Sequence, residues 1–278
     1  MPCRRSRVRV PSPAPFFLRS RALNSSLVTA VVLAGGKSKP DLLAATGVPH
    51  RALLQIEGET MLARVVRALQ ESAWVSDIYV VGDIPPPDGC HSLPDMGDFV
   101  ENVLQATAAV PDAQYLLYAT ADTPFLTSQA VADFVSRALQ SGAEMCYPII
   151  PLERCAQRFP SMPRTALSLR EGTFTGGNLL LVRAGVVRRQ ADLLRQAFRA
   201  RKSVWALAKI LGAGIIVRVL LAKLVSPRLL SIAHIKRRVQ QLMGATAQEI
   251  VTEYVEIGVD IDKLEHLQVL VESGYRVG

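Results

Sequence analysis

Two glycines and a basic triplet, Gly35-Gly36-Lys37-Ser38-Lys39, follow the apolar run VTAVVLA at positions 28–34. Such residues hold anions, because glycine lets backbone N–H groups approach a phosphate closely and lysine offsets its charge. Val28, Val31, Val32 and Leu33 give the near-continuous apolar pattern of a parallel strand covered on both faces. Ligands of open α/β sheets gather at the carboxyl end of such strands. The Gly-Lys-Ser triplet is not a P-loop, since GxxxxGK[ST] ending there needs glycine where the chain has Val31. GxGxxG fails as well, because Lys37, Ser38, Lys39 and Pro40 follow the pair. A strand, a diglycine turn and a basic loop remain.

Carboxylates form the second set. Asp122 lies just past the apolar run YLLYAT at 115–120, where a side chain enters the same crevice, and Pro124 restrains the turn. It reads either as a ligand or as the cap of the helix after Phe125. Late in the chain, alternation puts Asp260 and Asp262 on one face of an extended segment, VDID. Here too a cap is the competing role, Asp262 being placed to open the helix that follows. Thr175-Gly176-Gly177-Asn178 reads as a polar turn before NLLLVR, as a simple hairpin connection would. His50, His91, His234 and His266 share no spacing that suggests a triad or a metal site, which leaves them surface or capping roles.

The loop from 35 to about 53 carries Lys37, Lys39, Pro40, Asp41, Gly47, Pro49, His50 and Arg51 before ALLQIEGETML. With VVLAGG, ADTPFL and the late VDID, it resembles the signature of the NTP-transferase family, which includes molybdenum-cofactor guanylyltransferases and sugar-phosphate and cytidylyl transferases. The resemblance covers roughly residues 27–184 and 250–275 and implies an α/β, three-layer Rossmann-like (GT-A type) fold with a mixed, mostly parallel sheet. It also implies that Leu33, Ala34, Gly35, Gly36, Lys37, Ser38 and Arg51 bind the nucleotide, the first three facing the base through backbone groups. Lys37, Arg51 and Asp122 take the catalytic roles, and Asp122 with Asp260 holds Mg²⁺. Thr175, Gly176, Gly177 and Asn178 hold the acceptor. Two departures stand out: Arg51 replaces the usual closing lysine, keeping the charge and adding a bidentate fork, and the loop is longer than in the guanylyltransferases.

The implied function is magnesium-dependent transfer of an NMP from an NTP to a phosphorylated acceptor, a sugar or cofactor phosphate, with pyrophosphate released. The guanylyltransferase branch makes GTP one expected donor. Such chemistry runs on positioning and electrostatics and needs no protein nucleophile. A GT-A glycosyltransferase using a nucleotide sugar and a non-catalytic nucleotide-binding regulator are the alternatives. The first is motivated by the DxD spelling of Asp260-Ile261-Asp262, the second by Arg51 and the altered loop.

The elements that must position these groups alternate as an α/β sheet requires. Helical spacing appears at 61–72, 99–110 and 128–142, strand patterns at 77–82, 115–120, 143–151 and 178–183, and a final strand, turn and helix over 254–273. The 278-residue chain is long enough for one large core with an added subdomain. Its net charge of +8 is unevenly spread. Residues 1–26 hold six arginines and no acid, and residues 185–245 hold thirteen Lys/Arg against Asp192 alone, so the rest is acidic. That excludes a uniformly basic nucleic-acid binder, and no nucleic-acid partner is expected.

Residues 1–26 read as a Pro-interrupted basic tail, and the RVRVP run at 7–11 is what a tRNA T-arm spells in this frame, so a native start near Leu27 is expected. The domain proper is then 27–278, with 185–245 as a basic helical insertion near the C-terminus. Its amphipathic runs fit a cap over the site with Lys/Arg facing water, or peripheral contact with an anionic membrane. The most apolar stretch, 204–225, contains Lys209, Arg218 and Lys223 and is no transmembrane span. Four cysteines without a CxxC pair suggest a reducing, cytoplasmic setting.

Overall fold

The computed structural model describes residues 28–200, 210 and 212–278; the basic tail and the middle of the insertion lie outside the described residues. In chain order the elements are β1 (Val28–Leu33), α1 (Pro40–Thr46), β2 (Gln55–Ile56), β3 (Glu59–Thr60), α2 (Met61–Gln70), β4 (Val75–Val81), β5 (His91–Leu93), α3 (Phe99–Ala109), β6 (Tyr115–Thr120), α4 (Ser128–Gln140) and β7 (Met145–Pro151). There follow α5 (Leu152–Arg158), β8 (Leu167–Leu169), β9 (Gly172–Gly176), β10 (Leu179–Arg183), α6 (Ala184–Arg189), α7 (Ala191–Ala200), α8 (Ala213–Leu224), α9 (Ile232–Met243), β11 (Ala247–Val251) and α10 (Leu264–Glu272).

β1 lies at the heart of a sheet ordered β5-β4-β1-β6-β10-β7-β9-β8, with β11 on the other edge of β7. It pairs parallel with β4 on one side and β6 on the other. Chain order therefore reverses at β1, and the crevice beyond the carboxyl ends of β1 and β6 is the topological switch point. Among the described residues only β9 and β10 run against the other strands of this sheet, which makes it mixed but mostly parallel. They follow one another along β7, the register changing from Leu181↔Cys146 to Gly176↔Ile149 across Gly177-Asn178.

Alternating side chains divide the core by sheet face. Val28, Ala30 and Val32 of β1 pack with Val65, Leu69, Val131 and Phe134 of α2 and α4, while Val31 packs with Leu116, Tyr118, Ala106 and Val186 toward α3 and α6. This is the expected three-layer arrangement. Thr60, Asp98 and Thr127 cap α2, α3 and α4 by accepting backbone N–H bonds in the first turn, which sets where each helix starts.

Two readings change. The stretch 35–53 is not one irregular loop: it contains α1, started by Pro40 and ended by Gly47 in the left-handed region, and a 3-10 turn at Arg51–Leu53. The last strand is Ala247–Val251, parallel to β7, whereas Val255–Gly258 forms a 3-10 turn. Gly258 explains the difference, because a Cβ there would meet Ile150 Cδ1 at 2.6 Å and the Gly176 carbonyl oxygen at 3.1 Å, so the chain turns in close contact with the sheet.

The insertion is helical in its described parts. Arg195 of α7 forms a bidentate pair with Glu101 of α3 at 2.7 and 3.1 Å, and α9 lies beside β11. Among the described residues no helix is long and apolar enough to cross a membrane.

Phe134 is fully buried between sheet and helices. Phe134→Ala should cost about 3–5 kcal/mol in urea unfolding while leaving the m-value unchanged, as expected for a cavity rather than a change of fold.

Candidate nucleotide and metal site

The basic loop leaves β1 as a zipped pair of limbs. Lys37 bridges His50, Ser38 N–H donates to Pro49 O at 2.8 Å, and Arg51 N–H donates to Gly36 O at 3.1 Å. Closure of this kind brings the Arg51 guanidinium back over the diglycine turn, where a Cβ on Gly36 would lie 2.7 Å from Arg51 Nη2. Gly35 is equally confined, since its Cβ would meet the Asp95 carboxylate at 2.6 Å. A side chain at either position would have to displace the Asp95 carboxylate or the Arg51 guanidinium from its present place.

Asp122 emerges from β6 into the same crevice. Its Oδ2 lies 3.1 Å from Arg51 Nη2, with both side chains mostly buried. Burial pushes the Asp122 carboxyl above its ordinary range; the Arg51 charge and a Thr120 hydrogen bond pull it down, and the Asp260 carboxylate pushes it up again. Asp122 is not a helix cap, because Thr127 caps α4. Its backbone carbonyl accepts from Ile261 N–H at 2.8 Å, and this bond ties the late segment to the end of β6.

Val259 and Ile261 are buried with Leu42, Leu54, Ile56 and Leu267, which turns Asp260 and Asp262 outward together as the alternation requires. Asp262 does not cap the last helix. That position falls to Lys263, which makes no side-chain cap, and the Asp262 carboxylate instead binds Lys39 Nζ at 2.7 Å. Burial raises the Asp262 carboxyl, but the Lys39 hydrogen bond and charge, with His266 and Arg51, leave it below the usual range. His266 is buried rather than superficial, with Nδ1 3.3 Å from Asp262 Oδ1.

Asp260, Asp262 and His266 each offer a ligand atom within 4.8 Å of the others. Asp260 itself makes no hydrogen bond or ion pair among the described residues, and the Asp122 carboxylate is close enough to feel its charge. Mg²⁺ takes one or two carboxylates plus water and phosphate oxygens, so the Asp122 and Asp260 donors fit it in kind, with Asp262 adjacent.

Polar groups without partners also gather here. Ser38 Oγ, His50 Nδ1 and Arg51 Nε are buried with no hydrogen bond, an arrangement that costs free energy unless a ligand supplies acceptors or donors. Lys37 forms no ion pair among the described residues and is exposed at the rim. The structure thus brings together Leu33, Ala34, Gly35, Gly36, Ser38, Arg51, Asp122 and Asp260, with Lys37 at the edge.

Of the four residues expected to hold an acceptor, Thr175 and Gly176 belong to β9 rather than to a turn, and Gly177-Asn178 form the link to β10. The reason is register. Gly177 N–H donates to Pro148 O at 3.0 Å, so the diglycine hugs β7 instead of closing a hairpin. Sequence reading missed Arg164, whose Nη1 donates to Gly258 O at 2.6 Å while Nε and Nη2 are buried without partners. It also missed Tyr147, whose hydroxyl lies against Gly176. Neither residue stands in a local pattern that marks it.

A switch-point crevice with a glycine-gripped basic loop on one side and convergent carboxylates on the other defines a nucleotide-binding α/β transferase. The chain belongs to the MobA-like NTP transferase domain family, whose model matches residues 30–244. The match runs through most of the helical insertion, which the sequence reading left outside the resemblance. The chain is 30% identical over 140 residues to the 2-C-methyl-D-erythritol 4-phosphate cytidylyltransferase of Saccharopolyspora erythraea; the alignment spans 45% of this chain and 60% of that relative. A hypothetical transferase from Thermus thermophilus is 38% identical, with a TM-score of 0.76 over 87% of this chain and 99% of its own. CMP:2-keto-3-deoxy-manno-octonic acid synthetase in complex with CTP shares the fold at 13% identity, with a TM-score of 0.55 over 90% of this chain and 100% of its own.

Arg51→Gln should leave a buried carboxylate unpaired and cost about 1–3 kcal/mol near pH 7.5, a figure reduced for the partial exposure of the pair. The Asp122 carboxyl, already raised, would rise further. A raised carboxyl favours the fold in its protonated form, so its contribution is full below the unfolded-state range and is lost as pH climbs through the folded value. The deficit of the variant against the parent should therefore shrink as pH falls toward 5, which paired urea titrations at several pH values would show.

Proposed function

We propose that the protein transfers an NMP from an NTP to a phosphorylated small-molecule acceptor, releasing pyrophosphate in a magnesium-dependent reaction. The observation that carries this is the meeting of the diglycine turn, Arg51 and the Asp122 and Asp260 carboxylates in one crevice lined by unpartnered buried polar atoms. Membership of the NTP transferase family supports the reaction class, and the cytidylyltransferase relative and the CTP-bound neighbour put CTP beside GTP among the donors to try.

The chain's own groups divide the work. Backbone amides at Gly35 and Gly36 and the Lys37 ammonium face the leaving phosphates. Arg51, released from Asp122 when a triphosphate arrives, turns its fork to the phosphoryl oxygens. An oxygen of the acceptor phosphate attacks the α-phosphorus, the bond to the β-phosphate oxygen breaks, and pyrophosphate leaves with the electron pair. Asp122 and Asp260 would hold Mg²⁺, which when bound neutralises charge developing on the phosphates. Arg164, with two unpartnered N–H edges beside Gly258, is placed to take the acceptor's phosphate.

Pyrophosphate release should appear with one NTP, Mg²⁺ and a phosphorylated acceptor, and Asp122→Asn and Asp260→Asn should each lower kcat by about 10²–10³-fold. Arg164→Lys, which keeps the charge but loses the fork, should raise the acceptor KM about ten- to hundredfold with kcat little changed. UDP release from a nucleotide sugar instead would refute this reading. So would tight nucleotide binding without turnover across a broad set of phosphorylated acceptors.

A further inference from the structure

Helix α9 presents Ile232, Ile235 and Val239 to the sheet, at the spacing of a core-facing helix. None of its residues is buried. Instead a cavity of about 530 Å³ lies between this face and the sheet, walled by Tyr147, Ile149, Leu167, Phe174 and Leu180. A second cavity of about 280 Å³, lined by Val103, Tyr118, Val182 and Met243 among others, shares Met145, Tyr147 and Leu180 with it. The two form one apolar trough on one face of the sheet. Protein interiors pack to the density of organic crystals, and apolar hollows of this size forfeit the dispersion contacts of every group that lines them.

The position of the trough identifies its occupant. One end is lined by Leu33, Thr120 and Asn178 beside the carboxyl ends of β1 and β6, Thr120 standing two residues before Asp122. All four residues expected to hold an acceptor line it, Thr175 and Gly176 in the larger part and Gly177 and Asn178 in the smaller. Tyr147 stands in both parts, with its hydroxyl against Gly176 and its phenol within range of the Asp260 charge. The end of the hollow at Leu33 and Thr120 thus adjoins the nucleotide crevice, and its body is mostly apolar, with the Lys236–Glu249 ion pair on the α9 side. We propose that the acceptor is an amphiphile: a monophosphate head presented to the α-phosphorus beside Asp122, with an aliphatic body lying along Tyr147, Leu180 and the inner face of α9.

This inference rests on the nucleotidyl-transfer reading and names its acceptor class. The new bond joins a head-group phosphate oxygen to the α-phosphorus, the bond to the β-phosphate oxygen breaks, and pyrophosphate departs, so no oxidant or further reactant is needed. A short polar sugar phosphate would leave most of the trough empty.

The test is a chain-length series on the intact protein: ethyl, butyl, hexyl and octyl phosphate with Mg²⁺ and each of the four NTPs, followed by pyrophosphate release. Burial at roughly 0.8 kcal/mol per methylene predicts that kcat/KM rises about fourfold per methylene until the hollow is filled. Leu180→Gln and, on the helix side, Ile235→Gln should each flatten that slope. A flat series alongside turnover of a sugar phosphate would overturn the inference while leaving nucleotidyl transfer intact. If no acceptor releases pyrophosphate, calorimetry separates the two ideas. Octyl phosphate binding far more tightly than ethyl phosphate, with the difference lost in Leu180→Gln, would uphold the trough against the transfer reading; equal or absent binding would overturn the trough.

Discussion

The ion pair between Arg51 and Asp122 is the constraint on which the site depends. Two groups that would each be costly to bury alone are held 3.1 Å apart at the switch point of the sheet. A second pair, Lys39 with Asp262 at 2.7 Å, repeats the arrangement at the rim. In each, the cation belongs to the loop proposed to grip phosphate and the carboxylate to the side proposed to hold a metal. On the proposed function, a metal–triphosphate complex would offer the same charges in exchange, phosphate for the cations and metal for the carboxylates. Such a complex, once bound, would leave none of these charges buried alone, which would offset the cost of breaking the two pairs.

That exchange requires the loop and the late carboxylates to share one rigid support. Leu42 of α1, Leu54 and Ile56 after the loop, Val259 and Ile261 of the late segment, and Leu267 and Leu270 of α10 form a single buried cluster. The hydrogen bond from Ile261 N–H to Asp122 O fixes this cluster to β6. Asp260 and Asp262 alternate with the buried residues that anchor them, so their direction is set by hydrophobic burial rather than by their own contacts. The C-terminal helix is in this sense part of the support of the 35–53 loop: it covers α1, and the antiparallel bridge of Ile56 with Val277 closes the arrangement.

What was legible in the sequence was what depends on neighbours within a few residues. The strand at 28–33, the glycine pair, Asp122 past its strand and the outward phase of Asp260 follow from local periodicity and residue type. What escaped it depends on partners far along the chain. Asp262 has the composition of a cap, yet its partner Lys39 lies 223 residues away. The strand at 247–251 and the turn at 255–258 have similar β-branched content, and only the contact of Gly258 with Ile150 and Gly176 decides between them. Within 35–53 the signals for α1 were present, Pro40 to start and Gly47 to stop, but seven residues carry too little periodicity to mark a helix. Arg164 and Tyr147 stand in no motif, and their placement is a property of the packed fold.

The same division bears on the insertion. Its amphipathic helices looked complete in the sequence, with an apolar stripe to bury and a basic stripe for solvent, and such a stripe ordinarily seals against a sheet. Around α9 it seals only in part: Ile232 and Ile235 pack beside Leu169 and Leu230 but stay half-buried, while the core residues of α2 and α4 on the opposite face are fully enclosed. Both faces draw on one sheet with the same twist, so the difference does not come from the sheet. On the α2 and α4 face, Leu62, Val65, Phe134 and Val135 fill the space. On the other, Tyr147 and Leu180 look across a gap. The second face is packed as well under α3 and α6 and opens, among the described residues, beside α9, so the proposed acceptor would lie in the one stretch of that face that the described helices leave unfilled.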